Sequence, residues 1–427
     1  MKVNRRTALG LGAAVALLGG GAAFWRLTTP KTRNPPRDLV PDPRGLLDLA
    51  AGFTYAVLDR RGGDLGDGHR VPGRPDGMAC FAGEGGTLVL VRNHELLPGA
   101  TDGPWKPGTT VPSEAFDPKG MGCVSRLVVD PKKLAAGEPA VVASNLVIAG
   151  TNFNCCGGRS PWGWLSCEED VDPGHGFVFA CPPTATKLQK AEPIRAYGRF
   201  RHEAVAIDPT TLVAYLTEDR EDACLYRFVP THRARPFEGR LEALAIVDDP
   251  ASETASTSPL HARRKISWVA IDEPAPDDDS VRSRAHAMGA AVFRRLEGAD
   301  FAQGSLVFSS TTGGASKQGQ LFRLVPDGDG GTLELLYESH DLSALSMPDN
   351  LAVSPWGDIL IAEDGALPCG IRCFTRKGEM RPLASAVASM GEVAGVTFSP
   401  DGHILFANLQ ADGVTVAIRG PFAQWAG

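Results

Sequence analysis

One recurring pattern constrains what this chain can fold into. A turn carrying Pro or Gly is followed by a short run of strand-forming residues, and the run stops at a polar, often acidic, cluster. It occurs from Gly86 to Glu95, Pro161 to Glu169, Asp208 to Asp219, Gly304 to Ser310, Ser354 to Asp364 and Ser399 to Asn408. Helical periodicity is almost absent, and β-branched and apolar runs alternate with Gly, Pro, Asp and Asn clusters, the pattern of an all-β chain. Six such hairpins, with long gaps absorbed as loop insertions, predict a six-bladed β-propeller. The acidic, Pro-containing stretch from Asp272 to Ser280 reads as one such insertion. A pair of β-sandwiches is the rival fold, because hairpins with Ser-Pro-Asp-Gly turns occur in any β protein.

The hairpins also select residues. In an antiparallel hairpin the start of the first strand and the end of the second lie at one edge. The starts carry Asn154-Cys155, Arg201-His202-Glu203, His286, Asp349-Asn350 and Glu392; the ends carry Glu168-Glu169, Glu218-Asp219, Ser310, Glu363-Asp364 and Asn408. The first hairpin adds Asp76, His94 and Glu95. A single acidic strand end is usually a solvated turn, but in a closed propeller all of these edges surround one channel. So many like charges share a cavity only if cations neutralise them. A multi-metal site is expected, with oxygen donors favouring hard ions such as calcium and a nearby thiolate or imidazole favouring iron or zinc. Its candidate ligands are Cys155, Glu203, Glu363, Glu95, Glu168, Glu169, Glu218, Asp349, Asn350, Asp364 and Glu392.

Length and charge bound the rest. The 427 residues are enough for one large domain, and a net charge of −7 offers no field for a phosphate backbone, so a nucleic-acid partner is not expected. Residues 1–30 read as a targeting segment: Lys2, Arg5 and Arg6 precede an apolar Gly/Ala-rich stretch from Thr7 to Phe24, and the paired arginines resemble a twin-arginine signal. Export to the periplasm or the extracellular space follows. With no good Ala-x-Ala site near Ala22-Ala23, the segment is a candidate membrane anchor. Residues 31–45 read as a linker, and 46–427 as a single propeller domain, expected to be a monomer. The nine cysteines do not follow the spacing of a small disulfide scaffold, although Cys369 and Cys373 are placed for a local bridge.

Several motifs together resemble one family. Asn93-His94-Glu95, Asn154-Cys155-Cys156-Gly157-Gly158, Ser160-Pro161-Trp162-Gly163, Cys167-Glu168-Glu169, Arg201-His202-Glu203, Pro348-Asp349-Asn350, Glu363-Asp364-Gly365 and Phe398-Ser399-Pro400-Asp401-Gly402 look like the PhoX-type alkaline phosphatases and their relatives. The resemblance implies a six-bladed propeller, twin-arginine export, and a cluster of ferric iron and calcium ions joined by an oxo group. By matching motif, Cys155 would be the iron-bound thiolate, and Glu203 and Glu363 further iron ligands. Glu95, Glu169, Asp349, Asn350 and Glu392 would take calcium or bridging roles. This chain departs from the family pattern in its second cysteine, Cys156, and in a Cys155-to-Cys167 interval one residue short. The implied substrate is a small phosphate ester. Arg201 or Lys317 would hold a phosphate oxygen, and His202 or His94 would protonate the leaving alkoxide. The rival readings are a calcium-dependent propeller hydrolase of lactonase type and a non-catalytic envelope propeller.

Overall fold

Turn chemistry builds the hairpins. Between Val353 and Ile359 the chain reverses because Gly357 takes a positive φ of 96° and Ser354 Oγ accepts the Asp358 N–H at 2.9 Å. The same logic at Ser399 to Ile404 uses Gly402, at φ 75°. The computed structural model describes residues 31–426. Its six key hairpins are β1 (Pro75–Ala82) with β2 (Leu88–His94), β3 (Asn154–Ser160) with β4 (Gly163–Glu168), and β5 (His202–Ile207) with β6 (Ala214–Glu218). They continue with β7 (Leu296–Ala302) and β8 (Ser305–Ser310), β9 (Pro348–Val353) and β10 (Ile359–Glu363), and β11 (Val393–Phe398) and β12 (Ile404–Leu409).

The chain is all-β, and its sheets take a propeller-like arrangement. The odd-numbered strands form an inner ring, in which β1 lies beside β3, β3 beside β5, and so on to β11, which lies beside β1. Further strands add outward from each even-numbered one, giving five hydrogen-bonded sheets. One of them has nine strands, because the outer strand Arg263–Ile271 pairs with Gly330–Glu338 and joins the hairpins β5–β6 and β7–β8 into a single sheet. The ring is closed by chain ends: Thr54–Arg60 pairs with Val414–Arg419 and completes the sheet of β11 and β12. That pairing covers the outer edge of Val414–Arg419, which would otherwise be open to association with another chain.

The core lies between neighbouring sheets. Val91 and Val124 pack against Trp164, Phe177 and Phe179, and Val307 and Leu321 against Leu351 and Ile361. Phe406 and Ala417 meet Leu90 and Leu127 where the ring closes. Each fully buried Leu or Phe contributes about 1.5–3 kcal/mol, so the sheet-to-sheet faces hold the ring together.

The expected signal segment, residues 1–30, lies outside the described residues. The stretch 31–45 runs along the sheet of β9 and β10: Arg33 N–H bonds the Leu367 carbonyl at 2.7 Å, and Leu39–Val40 pairs with Asp48–Ala50, itself paired with Met380–Ser385. All nine cysteines are buried and free, Cys369 and Cys373 included. No helix among the described residues is long and apolar enough to cross a membrane.

Candidate metal centre

Every inner strand carries a β-bulge at the same height. The register slips between Pro75 and Met78, Asn154 and Gly157, His202 and Val205, Leu296 and Ala299, Pro348 and Leu351, and Ala394 and Thr397. A bulge holds one extra residue and re-aims its side chain. In five strands the re-aimed residue is a ligand type: Asp76, Cys155, Glu203, Glu297 and Asp349. In β11 the bulge holds Gly395, and Glu392, just before that strand, supplies the acid. The residue after Asp76 and after Glu297 is glycine because the strands crowd here. A Cβ on Gly77 would stand 2.6 Å from Cys156 Cα, and one on Gly298 would stand 2.6 Å from the Asp349 carbonyl oxygen.

The ring gathers three ligand groups, each with its donor atoms within 4.8 Å of one another: Cys155 with Glu169 and Glu203, Asp76 with Glu95 and Glu392, and Glu203 with Glu297 and Asp349. Seven carboxylates and one thiol thus share one pit, and Glu203 belongs to two groups. Burial, then repulsion by Glu95, pushes Asp76 up to about 7. Burial first and neighbouring carboxylates second hold Glu169, Glu203, Glu297, Asp349 and Glu392 well above the carboxylate range. Burial and the Glu203 charge raise the Cys155 thiol in the same way. Such a set stays ionised only when cations supply the missing positive charge.

Three arginines line the rim, each two residues ahead of a bulge acid. Arg74 pairs with Glu95, Arg201 with Glu169 at 3.0 Å, and Arg295 with Asp219 at 2.7 Å and Glu297 at 2.6 Å.

The sequence-selected residues divide by strand alternation, since successive side chains of an extended chain point to opposite sides. In each acidic pair, the residue that ends the even-numbered strand turns away from the pit, and the next one borders it. Glu168 accepts the N–H groups of Asn152, Gly176 and Phe177 and bonds His175 Nδ1 at 2.7 Å. Glu218 meets Arg282 at 2.9 Å and Tyr226 Oη at 3.1 Å, and Glu363 is held by Arg33 and Arg372. Glu95 and Glu169 join the pit, and Asp364 lies close enough for its charge to raise Glu392, Glu95 and Asp349. Asn350 braces the ring, donating to Asp349 Oδ1 at 2.8 Å and accepting the Gly395 N–H.

The imidazoles are not aimed at the pit. His94 lies buried between the Gly73 carbonyl and Ser125 Oγ, each at 2.8 Å, and burial keeps it neutral. His202 stacks on Phe200 with ring centroids 3.7 Å apart, bonds the Gly198 carbonyl at 3.1 Å, and is pushed down by burial to about 3. Lys317 is exposed. His286 starts no inner strand and sits instead in the helix Val281–Ala287; the fourth inner strand starts at Leu296. Hairpin reasoning therefore missed Glu297. A signal for it was present: Arg-x-acid-small recurs at Arg74 to Gly77, Arg201 to Ala204 and Arg295 to Gly298.

On the side of Glu168 turned from the ligands, His175 ties Glu168 to Asp117 of the loop after β2, with Nε2 3.5 Å from Asp117. Burial opposes its charge, but the Glu168 hydrogen bond and charge prevail and raise it to about 9, above the ordinary 6.5. The stabilisation is therefore complete below about pH 6.5 and is lost as pH rises through about 9. A charged hydrogen bond of this kind contributes about 1.5–3 kcal/mol. His175→Gln should lower the melting temperature by about 2–3 °C at pH 6, with the gap to wild type closing by pH 10. A gap that stays constant across that range would overturn the assignment.

Fold and site together define a propeller-like protein whose inner strands gather three groups of residues that could hold metal ions. The family model described as Alkaline phosphatase PhoX matches residues 35–413, and the chain belongs to that family. No curated protein sequence matches it. Among solved structures, it is similar to PhoX of Pseudomonas fluorescens in complex with vanadate, a transition state analogue. The TM-score is 0.67 at 17% identity, over 92% of this chain and 98% of that one. A looser likeness, with a TM-score of 0.45 at 12% identity over 92% and 99% of the two chains, is to a gluconolactonase of Xanthomonas campestris.

Proposed function

We propose that this chain hydrolyses phosphoric monoesters in the central pit, with iron and calcium as its metals. The observation that carries the metal reading is the convergence of seven carboxylates and one thiol, four of the carboxylates and the thiol aimed inward by bulges and the other three carried beside strand ends. The donors suit those ions: Cys155 with Glu169 and Glu203 offers the soft atom that iron accepts, and the all-oxygen groups match calcium. The buried thiol also favours this reading over a lactonase-type one, which needs no cysteine. Bound cations would clamp the phosphoryl oxygens and offset the charge of the transition state. The protein's own part is electrostatic and positional. Arg74, Arg201 and Arg295 present guanidinium groups at the rim, where a phosphoryl oxygen of a small ester would be gripped. His94 and His202, neutral and committed to carbonyl oxygens, leave protonation of the departing alkoxide to solvent at the mouth.

On this reading the nine-stranded sheet counts as two blades, giving six in all, each led by one inner strand. The twin-arginine-like segment 1–30 would carry the folded, metal-loaded monomer to the periplasm and stay as an anchor if uncut. The test is metal analysis of protein exported in folded form, paired with hydrolysis of p-nitrophenyl phosphate at alkaline pH before and after EDTA. Iron and calcium with turnover that EDTA abolishes is the expected result. Calcium alone without turnover would leave a scaffold that has given up the chemistry.

A further inference from the structure

The ligand ring is stitched together from behind by side chains that touch no ligand atom. Asn93 on β2 donates from Nδ2 to the carbonyl oxygens of Cys155 at 3.0 Å and Cys156 at 2.5 Å, and its Oδ1 accepts Trp164 Nε1–H at 2.7 Å. Thr217 on β6 donates to the Glu297 carbonyl at 2.6 Å while accepting the Ala204 N–H at 2.7 Å. Ser309 on β8 reaches the Asp349 carbonyl at 3.0 Å, and Asn408 on β12 donates to the Asp76 carbonyl while accepting from Thr415 Oγ1 at 2.6 Å. All four side chains are fully buried.

Their placement is systematic. Each stands on the second strand of one hairpin, one residue before that strand's end, and grips the backbone of the bulge residue on the next inner strand. At the fifth junction a bulge-level residue makes the link itself, Asn350 Oδ1 accepting the Gly395 N–H; at the sixth, Cys155 Sγ lies 3.1 Å from the His202 carbonyl, a hydrogen bond open only to the protonated thiol. Five of the six junctions between neighbouring inner strands are thus bonded at the height of the ligands by side chains outside the three ligand groups.

We infer that Asn93, Thr217, Ser309 and Asn408 are positioning residues that set the spacing of the cage, an inference that rests on the cation-binding reading above. A bulge leaves its extra residue outside the hydrogen bonds of its own ladder. Without a cross-strand bond to its carbonyl, the carboxylate it presents would wander under the repulsion of its neighbours. Loss of partners that orient metal ligands typically weakens metal binding about 10- to 100-fold.

The test is metal retention in the full-length protein exported in folded form. Wild type, Asn408→Ala, Thr217→Val and Thr217→Ser are titrated with EDTA, and bound calcium and iron are counted by mass spectrometry. Asn145→Ala is the comparison, since it deletes two amide-to-carbonyl bonds, to Leu146 at 2.8 Å and Ala185 at 3.0 Å, on the outermost strand of the first sheet. Asn408→Ala and the isosteric Thr217→Val should release metal at EDTA concentrations about 10- to 100-fold lower than wild type. Thr217→Ser should match wild type, and Asn145→Ala should melt earlier yet keep its metals. Equal retention in Asn408→Ala, Thr217→Val and wild type would overturn the inference while leaving the cage intact. A wild-type protein that binds no metal would remove the cage and the inference together.

Discussion

Glu203→Gln is expected to cost at least about a thousandfold in kcat/KM, taking the several kcal/mol that metal centres give a phosphoryl transition state at about 1.4 kcal/mol per tenfold. The reason is geometric: Glu203 is the one carboxylate common to the Cys155–Glu169 group and the Glu297–Asp349 group, so its removal unseats both. The same substitution should act with opposite sign on the metal-free protein. Burial, then the Glu297 charge, holds the Glu203 carboxyl well above the ordinary 4.5, so the folded state prefers it protonated. Its ionisation weakens the fold as pH rises beyond the unfolded value. Stripped of metal at alkaline pH, Glu203→Gln should therefore melt higher than stripped wild type, whereas with metal present wild type should melt higher. A variant that keeps its metals and its rate would refute the shared-ligand placement.

Glu363→Gln is expected to do the reverse, damaging stability and sparing the metals. Glu363 is fully buried; its Oε1 accepts Arg33 Nη1 and the Ser346 N–H at 2.9 Å each and Arg372 Nε at 3.1 Å, and its Oε2 accepts Arg33 Nη2. Burial raises its pKa, but Arg372 and Arg33 outweigh that and hold it below 4.5. The clamp is therefore at full strength above about pH 4.5 and fails as pH falls further. Neutralising the acid leaves two guanidinium groups facing each other in a dry site, and breaking a buried pair in this way costs about 3–5 kcal/mol. A drop in melting temperature of roughly 4–6 °C follows for a chain of this length, with iron and calcium content unchanged in the protein that folds. Loss of iron without loss of stability would instead make Glu363 a ligand. Because Arg33 lies on the 31–45 stretch, the clamp also ties that stretch to the sheet of β9 and β10.

The two substitutions separate what was legible in the chain from what was not. The alternation of turns, short apolar runs and acidic strand ends is local information, and it determined the all-β class and the gathering of strand ends at one rim. The hairpin rule needs only that antiparallel strands begin and end together, and so position along the chain was enough to select Cys155, Glu203, Asp349, Glu392 and Glu95. Which member of each acidic pair enters the pit was not legible. Glu168 and Glu169 are equivalent in composition and differ only in the side of the strand they occupy, and a one-residue change of register exchanges them.

That register is decided by the bulges, which depend on how closely neighbouring inner strands approach. Gly77 faces Cys156, Gly298 faces Asp349 and Gly395 faces Asp76, contacts between residues far apart in the chain. For the same reason Glu297 escaped notice, and the long insertion before it drew His286 into its place. The sequence by itself determined the fold class, the rim and the types of donor atom, because turn and strand preferences are written residue by residue. Only the tertiary structure decided which carboxylates converge and which are spent on Arg33, His175 and Arg282, because that choice follows from inter-strand packing.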